Sequence, residues 1–176
     1  MEFEAFPKIA RLKRECLITE KIDGTNAQVC VTPEGQVLAG SRTRWITPEA
    51  DNFGFARWVK EHEDELRGLG EGRHYGEWWG RGVQRGYGLA EKRFSLFNAW
   101  RWKDGNYPAC CSVVPNLYTG VFSTDVTQQA LEGLRTWGSV AAPRFMQPEG
   151  IIIYLSAART YFKQTLDKDE EPKGRS

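Results

Sequence analysis

Glu20-Lys21-Ile22-Asp23-Gly24-Thr25-Asn26 places an amine, two carboxylates and a glycine within seven residues, directly after the apolar pair Leu17-Ile18 and Thr19. Lys21 is the residue there that could form a covalent bond. An amine attacks only in its neutral form, which burial and neighbouring cations both favour. A second lysine, Lys163, lies in another strand-like stretch, Tyr161-Phe162-Lys163-Gln164-Thr165-Leu166. Two lysines converging on one phosphate-sized hole would favour each other's neutral form and then hold the anion. Asp23 would orient the lysine or help a metal-bound water. Gly24 would let the main chain approach a ligand closely. By themselves, Lys21 to Gly24 are equally a strand running into a β-turn, so their meaning depends on the rest of the chain.

The elements that must position these residues read as follows. Stretches 17–22, 26–32, 36–40, 73–79, 93–100, 150–155 and 160–166 have the Val, Ile, Leu and aromatic content of strands. Thr32-Pro33-Glu34-Gly35 is a turn, because proline presets φ and glycine tolerates positive φ. In 51–67, Phe55, Trp58, Val59, His62 and Leu66 recur at helical steps, and His62 reads as a packing residue. In 125–137, Val126, Ala130, Leu134 and Trp137 form one face, and Gly138 stands where a C-terminal cap belongs. Strands first and last with helices inserted predict an α+β domain, with antiparallel sheets flanked by helices, over residues 1–166. The charged stretch 167–176 reads as a mobile tail.

Composition narrows the functions available. No apolar run approaches the ~20 residues of a membrane span, and the N-terminus lacks the features of a signal peptide. Four cysteines without a C-x-x-C pair and only two histidines argue against a zinc site. Reduced cysteines and a cytoplasmic location are the simplest reading. Cys110-Cys111, near Pro108, reads as a turn. A net charge of +1 excludes a protein that holds nucleic acid by bulk electrostatics. Such contacts would come from local patches: Arg11-Leu12-Lys13-Arg14, Arg42 and Arg44, or Arg81, Arg85, Lys92 and Arg93. Gly80-Arg81-Gly82-Val83-Gln84-Arg85-Gly86 has the wrong glycine spacing for a dinucleotide fingerprint and no helix directly after it. It reads as a flexible basic loop, a lid or a strand clamp. Trp78 and Trp79 could stack on nucleic acid, with core packing the better reading for at least one.

Taken in order, these segments resemble covalent nucleotidyltransferases: ATP-dependent RNA and DNA ligases and capping enzymes. Glu20 to Asn26 resembles the nucleotide-attachment motif, and Ser41-Arg42-Thr43-Arg44 the short basic motif after it. Tyr75-Gly76-Glu77-Trp78-Trp79-Gly80 resembles the third motif, Phe94-Ser95-Leu96-Phe97-Asn98 the next strand, Glu149-Gly150-Ile151-Ile152-Ile153 the fourth, and Phe162-Lys163-Gln164-Thr165 the fifth. The likeness is greatest to RNA ligases of the RNA ligase 2 type and spans about residues 5 to 166. It implies an ATP-grasp-like nucleotidyltransferase domain. It also implies ATP as the substrate that leaves AMP on Lys21, with Mg²⁺ (or Mn²⁺) held by Glu149. Glu20, Gly24, Arg42, Glu77, Phe97, Glu149 and Lys163 would then bind the nucleotide; Arg44, Arg81 and Arg85 would contact nucleic acid. The chemistry suits these roles. A carboxylate such as Glu77 accepts hydrogen bonds from a ribose hydroxyl pair. Phe97 offers a face to a base, and with Phe94 three residues away only one of the two rings should stack. Arg42 can fork onto phosphate, and Glu149 is a hard oxygen ligand.

Two departures qualify the likeness. The fifth motif usually has a second lysine where this chain has Thr165, which weakens the phosphate grip. Relatives also usually continue into a further C-terminal domain, so the resemblance implies nucleic-acid ends as partners, RNA rather than DNA, and a separate protein supplying the missing grip. Two other functions fit parts of the pattern. One is a nucleotidyltransferase that charges itself with GTP or ATP and passes the nucleotide on, as capping enzymes do. The other is a non-catalytic module that binds nucleic-acid ends, for which Lys21, Glu77 and Glu149 together would be superfluous.

Overall fold

A computed structural model describes residues 2–6 and 15–167. The basic run 11–14 and the tail 168–176 lie outside the described residues. Among the described residues, ten strands form two sheets. In chain order they are β1 (Glu15–Lys21), β2 (Thr25–Val31), β3 (Val37–Ser41), β4 (Trp45–Ile46), β5 (Gly72–Gly80), β6 (Lys92–Leu96), β7 (Cys111–Val113), β8 (Asn116–Val121), β9 (Gly150–Leu155) and β10 (Thr160–Thr165). One sheet has the order β10-β9-β1-β8, the other β4-β3-β2-β5-β6-β7. All pairings are antiparallel except β6 with β7, which is parallel. The α+β expectation therefore holds, with one parallel pair added.

Helices α1 (Phe55–Glu61), α2 (Glu63–Leu66) and α3 (Thr124–Trp137) cover the sheets. The Asp51 carboxylate accepts the N–H groups of Ala56 and Arg57 at 2.7 and 3.1 Å, satisfying donors that the first turn of α1 leaves open. The single helix expected over 51–67 is interrupted at His62, whose φ of −110° is not helical. Its Nδ1 lies 2.9 Å from the Trp58 carbonyl. In α3, Ser123 caps the start by accepting the Val126 N–H, and Gly138 ends it at φ 79°.

Period-two alternation in the strands gives each sheet two faces. One face of the six-stranded sheet packs Val29, Trp78 and Phe94 against Phe55 and Val59 of α1. One face of the four-stranded sheet packs Ile18, Ile151 and Ile153 against Leu131 and Leu134 of α3. The two remaining faces confront each other. Part of the space between them is filled by Leu17, Ile22, Trp79, Tyr87, Ala99 and Val114; the rest is a cleft. Trp78 and Trp79 are thus both core residues, on opposite faces of β5.

Candidate active site

Lys21 is the last residue of β1 in one sheet, and Thr25 is the first of β2 in the other. Lys21-Ile22-Asp23-Gly24 is therefore the crossover between the sheets, and this places the lysine at the closed end of the cleft. Ile22 anchors the crossover in the inter-sheet core. The Asp23 N–H donates to the Tyr87 hydroxyl at 2.8 Å. The Gly24 N–H donates to Glu77 Oε1 at 3.0 Å. A Cβ on Gly24 would meet the Trp78 carbonyl at 2.4 Å and Trp79 Cβ at 2.7 Å. Close approach to β5 by itself thus requires a glycine here.

The cleft has a volume of about 720 Å³. Thr19, Lys21, Ile152 and Tyr154 line it from one sheet; Asn26, Tyr75, Glu77 and Phe97 line it from the other. Glu149, immediately before β9, sets Oε2 2.5 Å from Lys21 Nζ, because Lys21 pairs with Gly150 across the strands. Glu77 is only 6% exposed and accepts from Asn26 Nδ2 at 3.0 Å as well as from Gly24. Burial pushes its carboxyl up to about 7; the hydrogen bond from Asn26 and the nearby Lys21 charge oppose the shift only in part. Phe94 is fully buried in the core, whereas Phe97 is 39% exposed and lines the cleft. Only one of the two rings is open to a base. Ile152 also lines the cleft, from the four-stranded sheet, and was not singled out in the sequence. Its position three residues after Glu149, in a run of isoleucines, looks like ordinary core.

Lys163 pairs with Ile152, and Thr165 with Gly150. Lys163 therefore lies on the cleft face, two strands from β1 and two residues from the level of Lys21. That is roughly 12 Å between their Cα atoms by strand geometry, within reach of two lysine side chains holding one polyphosphate. Thr165 stands level with Lys21 and donates its hydroxyl to the Asp167 carbonyl at 2.8 Å. Ser41 pairs with Ala27, so the Ser41–Arg44 turn stands at the crossover end of the sheet, with Arg42 and Arg44 exposed.

Two expected residues, Glu20 and Arg85, have different surroundings from those anticipated. Glu20 adjoins Lys21 on a strand, so its side chain points to the opposite face. Its carboxylate is 1% exposed and accepts from Ser139 Oγ, Val140 N and Ala141 N at 2.6, 2.8 and 2.9 Å. Burial raises its pKa while these donors lower it. This leaves its main chain on the cleft border. Arg85 turns inward rather than toward a polymer. Its Nε donates to Asp23 Oδ2 and its Nη1 to the Gln147 carbonyl, both at 2.9 Å, and Nη2 lies 3.5 Å from Asp167. Its loop is anchored rather than flexible, since Val83 and Tyr87 are buried. Arg81 is exposed on the same loop.

Among the described residues, no three His, Cys, Asp or Glu side chains cluster to cage a metal. The donors present are hard carboxylates, led by Glu149. That set fits Mg²⁺ or Mn²⁺, which commonly binds through one or two carboxylates and completes its shell with water and substrate phosphates.

Two largely antiparallel sheets clasping a cleft, with a lysine at their crossover and carboxylates beside it, are the architecture of a nucleotidyltransferase domain. The family model for RNA ligase matches residues 14–165, and the chain belongs to the RNA ligase family. No curated protein sequence matches the chain. Solved structures share the fold at low identity. Naegleria gruberi RNA ligase with PPi superposes at a TM-score of 0.58 and 17% identity, covering 86% of this chain and 49% of that one. A mutant of the same enzyme with ATP and Mn gives 0.58 and 16%, covering 86% and 50%. Another with AMP and Mn gives 0.57 and 16%, covering 86% and 49%. The chain thus spans about half the length of these proteins. No helix among the described residues is long and apolar enough to cross a membrane.

Proposed function

We propose that this chain is an ATP-dependent RNA ligase that works through a lysyl-AMP intermediate. The observation that carries the reading is the position of Lys21: its amine ends in the cleft, 2.5 Å from Glu149, in a chain of the RNA ligase family. Lys21 Nζ attacks the α-phosphorus of ATP. A P–N bond forms, the bond to the β-phosphate oxygen breaks, pyrophosphate leaves, and the amine loses a proton. An RNA 5′-phosphate oxygen then displaces the lysine, which recovers its proton and leaves a 5′,5′-pyrophosphate. Finally a 3′-hydroxyl attacks the RNA phosphorus and AMP departs.

Each side chain has a task in this sequence. Glu77 takes the ribose hydroxyls, and the adenine fits between Phe97 and Ile152. Arg42 and Lys163 hold the phosphates, with Thr165 supplying a hydroxyl where a second lysine is usual. Glu149 would hold the divalent ion, which when bound offsets the charge that builds on the phosphoryl oxygens. The ATP, AMP and PPi complexes of the Naegleria gruberi ligase support a nucleotide in this cleft. RNA ends are the partners, and a second protein or further domain would add grip on the polymer. Four free cysteines agree with a cytoplasmic setting.

The test is self-labelling. With Mg²⁺ or Mn²⁺ and α-labelled ATP, the protein acquires label, and Lys21→Ala does not. Label on Lys21→Ala equal to wild type, or none on wild type, sinks the reading. Presenting the charged protein with nicked and single-stranded 5′-phosphorylated RNA then identifies the acceptor.

A further inference from the structure

We propose that the cleft continues outward into a platform for single-stranded RNA, built from Trp45, Arg73, Tyr75 and Trp100 at the open face of the six-stranded sheet. The polymer's identity rests on the function proposed above; the platform rests on its own geometry. Tyr75 pairs with Gln28, Gln28 with Gly40, and Gly40 with Trp45. These four form one row across β5, β2, β3 and β4, with all side chains on the face that carries Glu77 two residues along. The row spans three strand spacings, roughly 14 Å. In the next row Arg73 pairs with Cys30, and Cys30 with Leu38. The Arg73 guanidinium crosses diagonally to lie 5.4 Å from the centroid of the Trp45 ring.

Among the described residues, nothing covers this surface. Trp45, Tyr75 and Trp100 are 47, 53 and 57% exposed, although each is large enough to be core. The floor between Tyr75 and Trp45 is closed by Gln28 lying over Gly40, where a Cβ would meet Gln28 Cγ at 2.6 Å. Gln28 Oε1 is buried there with no hydrogen-bond partner among the described residues, an acceptor that a base N–H could satisfy once the side chain turns outward. Tyr75 and Arg73 also line the nucleotide cleft, and Phe97 donates its N–H to the Tyr75 carbonyl at 2.9 Å. The platform is therefore continuous with the cleft.

Exposed rings interleaved with guanidinium groups suit one chemistry above others. Bases stack on the rings without regard to sequence, and cations meet the phosphates between them. The two rows hold no carboxylate to repel a polyanion. The Arg42 and Arg44 turn ends directly at Trp45, adding cations at the outer edge. A duplex, whose bases are already stacked, would gain little from exposed rings.

Fluorescence anisotropy of a labelled 5′-phosphorylated single-stranded oligoribonucleotide tests this in the full chain. Trp45→Ala should weaken binding by about 5- to 100-fold, and Trp45→Phe should recover most of it. Self-adenylylation needs no RNA and Trp45 lies outside the nucleotide cleft, so labelling with ATP serves as the internal control. Wild-type affinity in a Trp45→Ala protein that still adenylylates overturns the platform and leaves the ligase reading standing. Loss of RNA binding in a protein whose wild type never adenylylates does the reverse. An equal loss for blunt duplex RNA overturns the single-strand assignment.

Discussion

Glu77 shows how one residue is set by its place in the strand. It is buried between Gly24 and Asn26, and its carboxyl is pushed up to about 7 from an ordinary 4.5. Between those values the unfolded chain has released a proton that the folded chain retains. Stability therefore falls as pH rises from about 4.5 to 7, and the cost is complete above 7. A shift of this size corresponds to at most about 3 kcal/mol. Glu77→Gln carries no such penalty, although it exchanges one acceptor for a donor opposite Asn26. The melting temperature of Glu77→Gln relative to wild type should rise between pH 5 and pH 8. A difference that stays flat across that range would show that Glu77 does not titrate there. The same substitution should impair adenylylation, because an amide offers a ribose diol one acceptor oxygen where the carboxylate offers two. At this scale the sequence was informative about Lys21, Phe97 and Glu149, whose types match their places around the cleft. It misled on Glu20. Adjacent residues on a strand face opposite ways, so Glu20 and Lys21 could not both point into one cleft, and the loop 139–141 that takes the Glu20 carboxylate lies about 120 residues away in sequence.

At the scale of elements, the loop 80–89 is a brace. Arg85 links Asp23 in the crossover to the Gln147 carbonyl just ahead of Glu149, and Tyr87 receives the Asp23 N–H from the other side. The loop thereby fixes the separation between the strand that ends in Lys21 and the one that begins after Glu149. Removing the guanidinium leaves Asp23 with a lost partner and frees that separation. Misplacement of a reacting group by about 1 Å costs on the order of 100-fold in rate. Arg85→Ala should slow lysyl-AMP formation by about that factor with little change in the ATP concentration for half-maximal rate, since Arg85 does not line the nucleotide cleft. Rapid-quench measurement across ATP concentrations separates the two quantities. A rise in the half-saturating ATP with an unchanged maximal rate would instead place Arg85 on the nucleotide. None of this brace was legible in the sequence, where three glycines and two arginines read as a mobile basic loop. Its order comes from Val83 and Tyr87, two buried anchors among glycines and charges, too few to form a periodic pattern. β7 and β8 were also unread. β7 has three residues, and β8, Asn116–Val121, is an edge strand whose partial burial gives little alternation. The break at His62 was hidden because helical spacing of apolar residues continues across it.

The whole molecule has a net charge of +1, so whatever holds RNA must do so with a local set of cations. The arginines available are Arg42 and Arg44 at the edge of the open sheet face, Arg73 on it, and Arg101, which lines the adjoining cleft with Trp100. If each neutralises one phosphate, the logarithm of affinity for single-stranded RNA should fall against the logarithm of salt with a slope of about −3. The aromatic contribution from Trp45, Tyr75 and Trp100 should persist as salt rises, since stacking is not screened. Trp45→Ala should therefore lower affinity at every salt concentration without altering the slope, whereas Arg73→Ala should make the slope shallower by about 0.7. Anisotropy titrations over a tenfold range of salt measure both effects. A slope near −6 or steeper would mean that the polymer is held by many more cations than this face offers, and would move the binding surface elsewhere on the molecule.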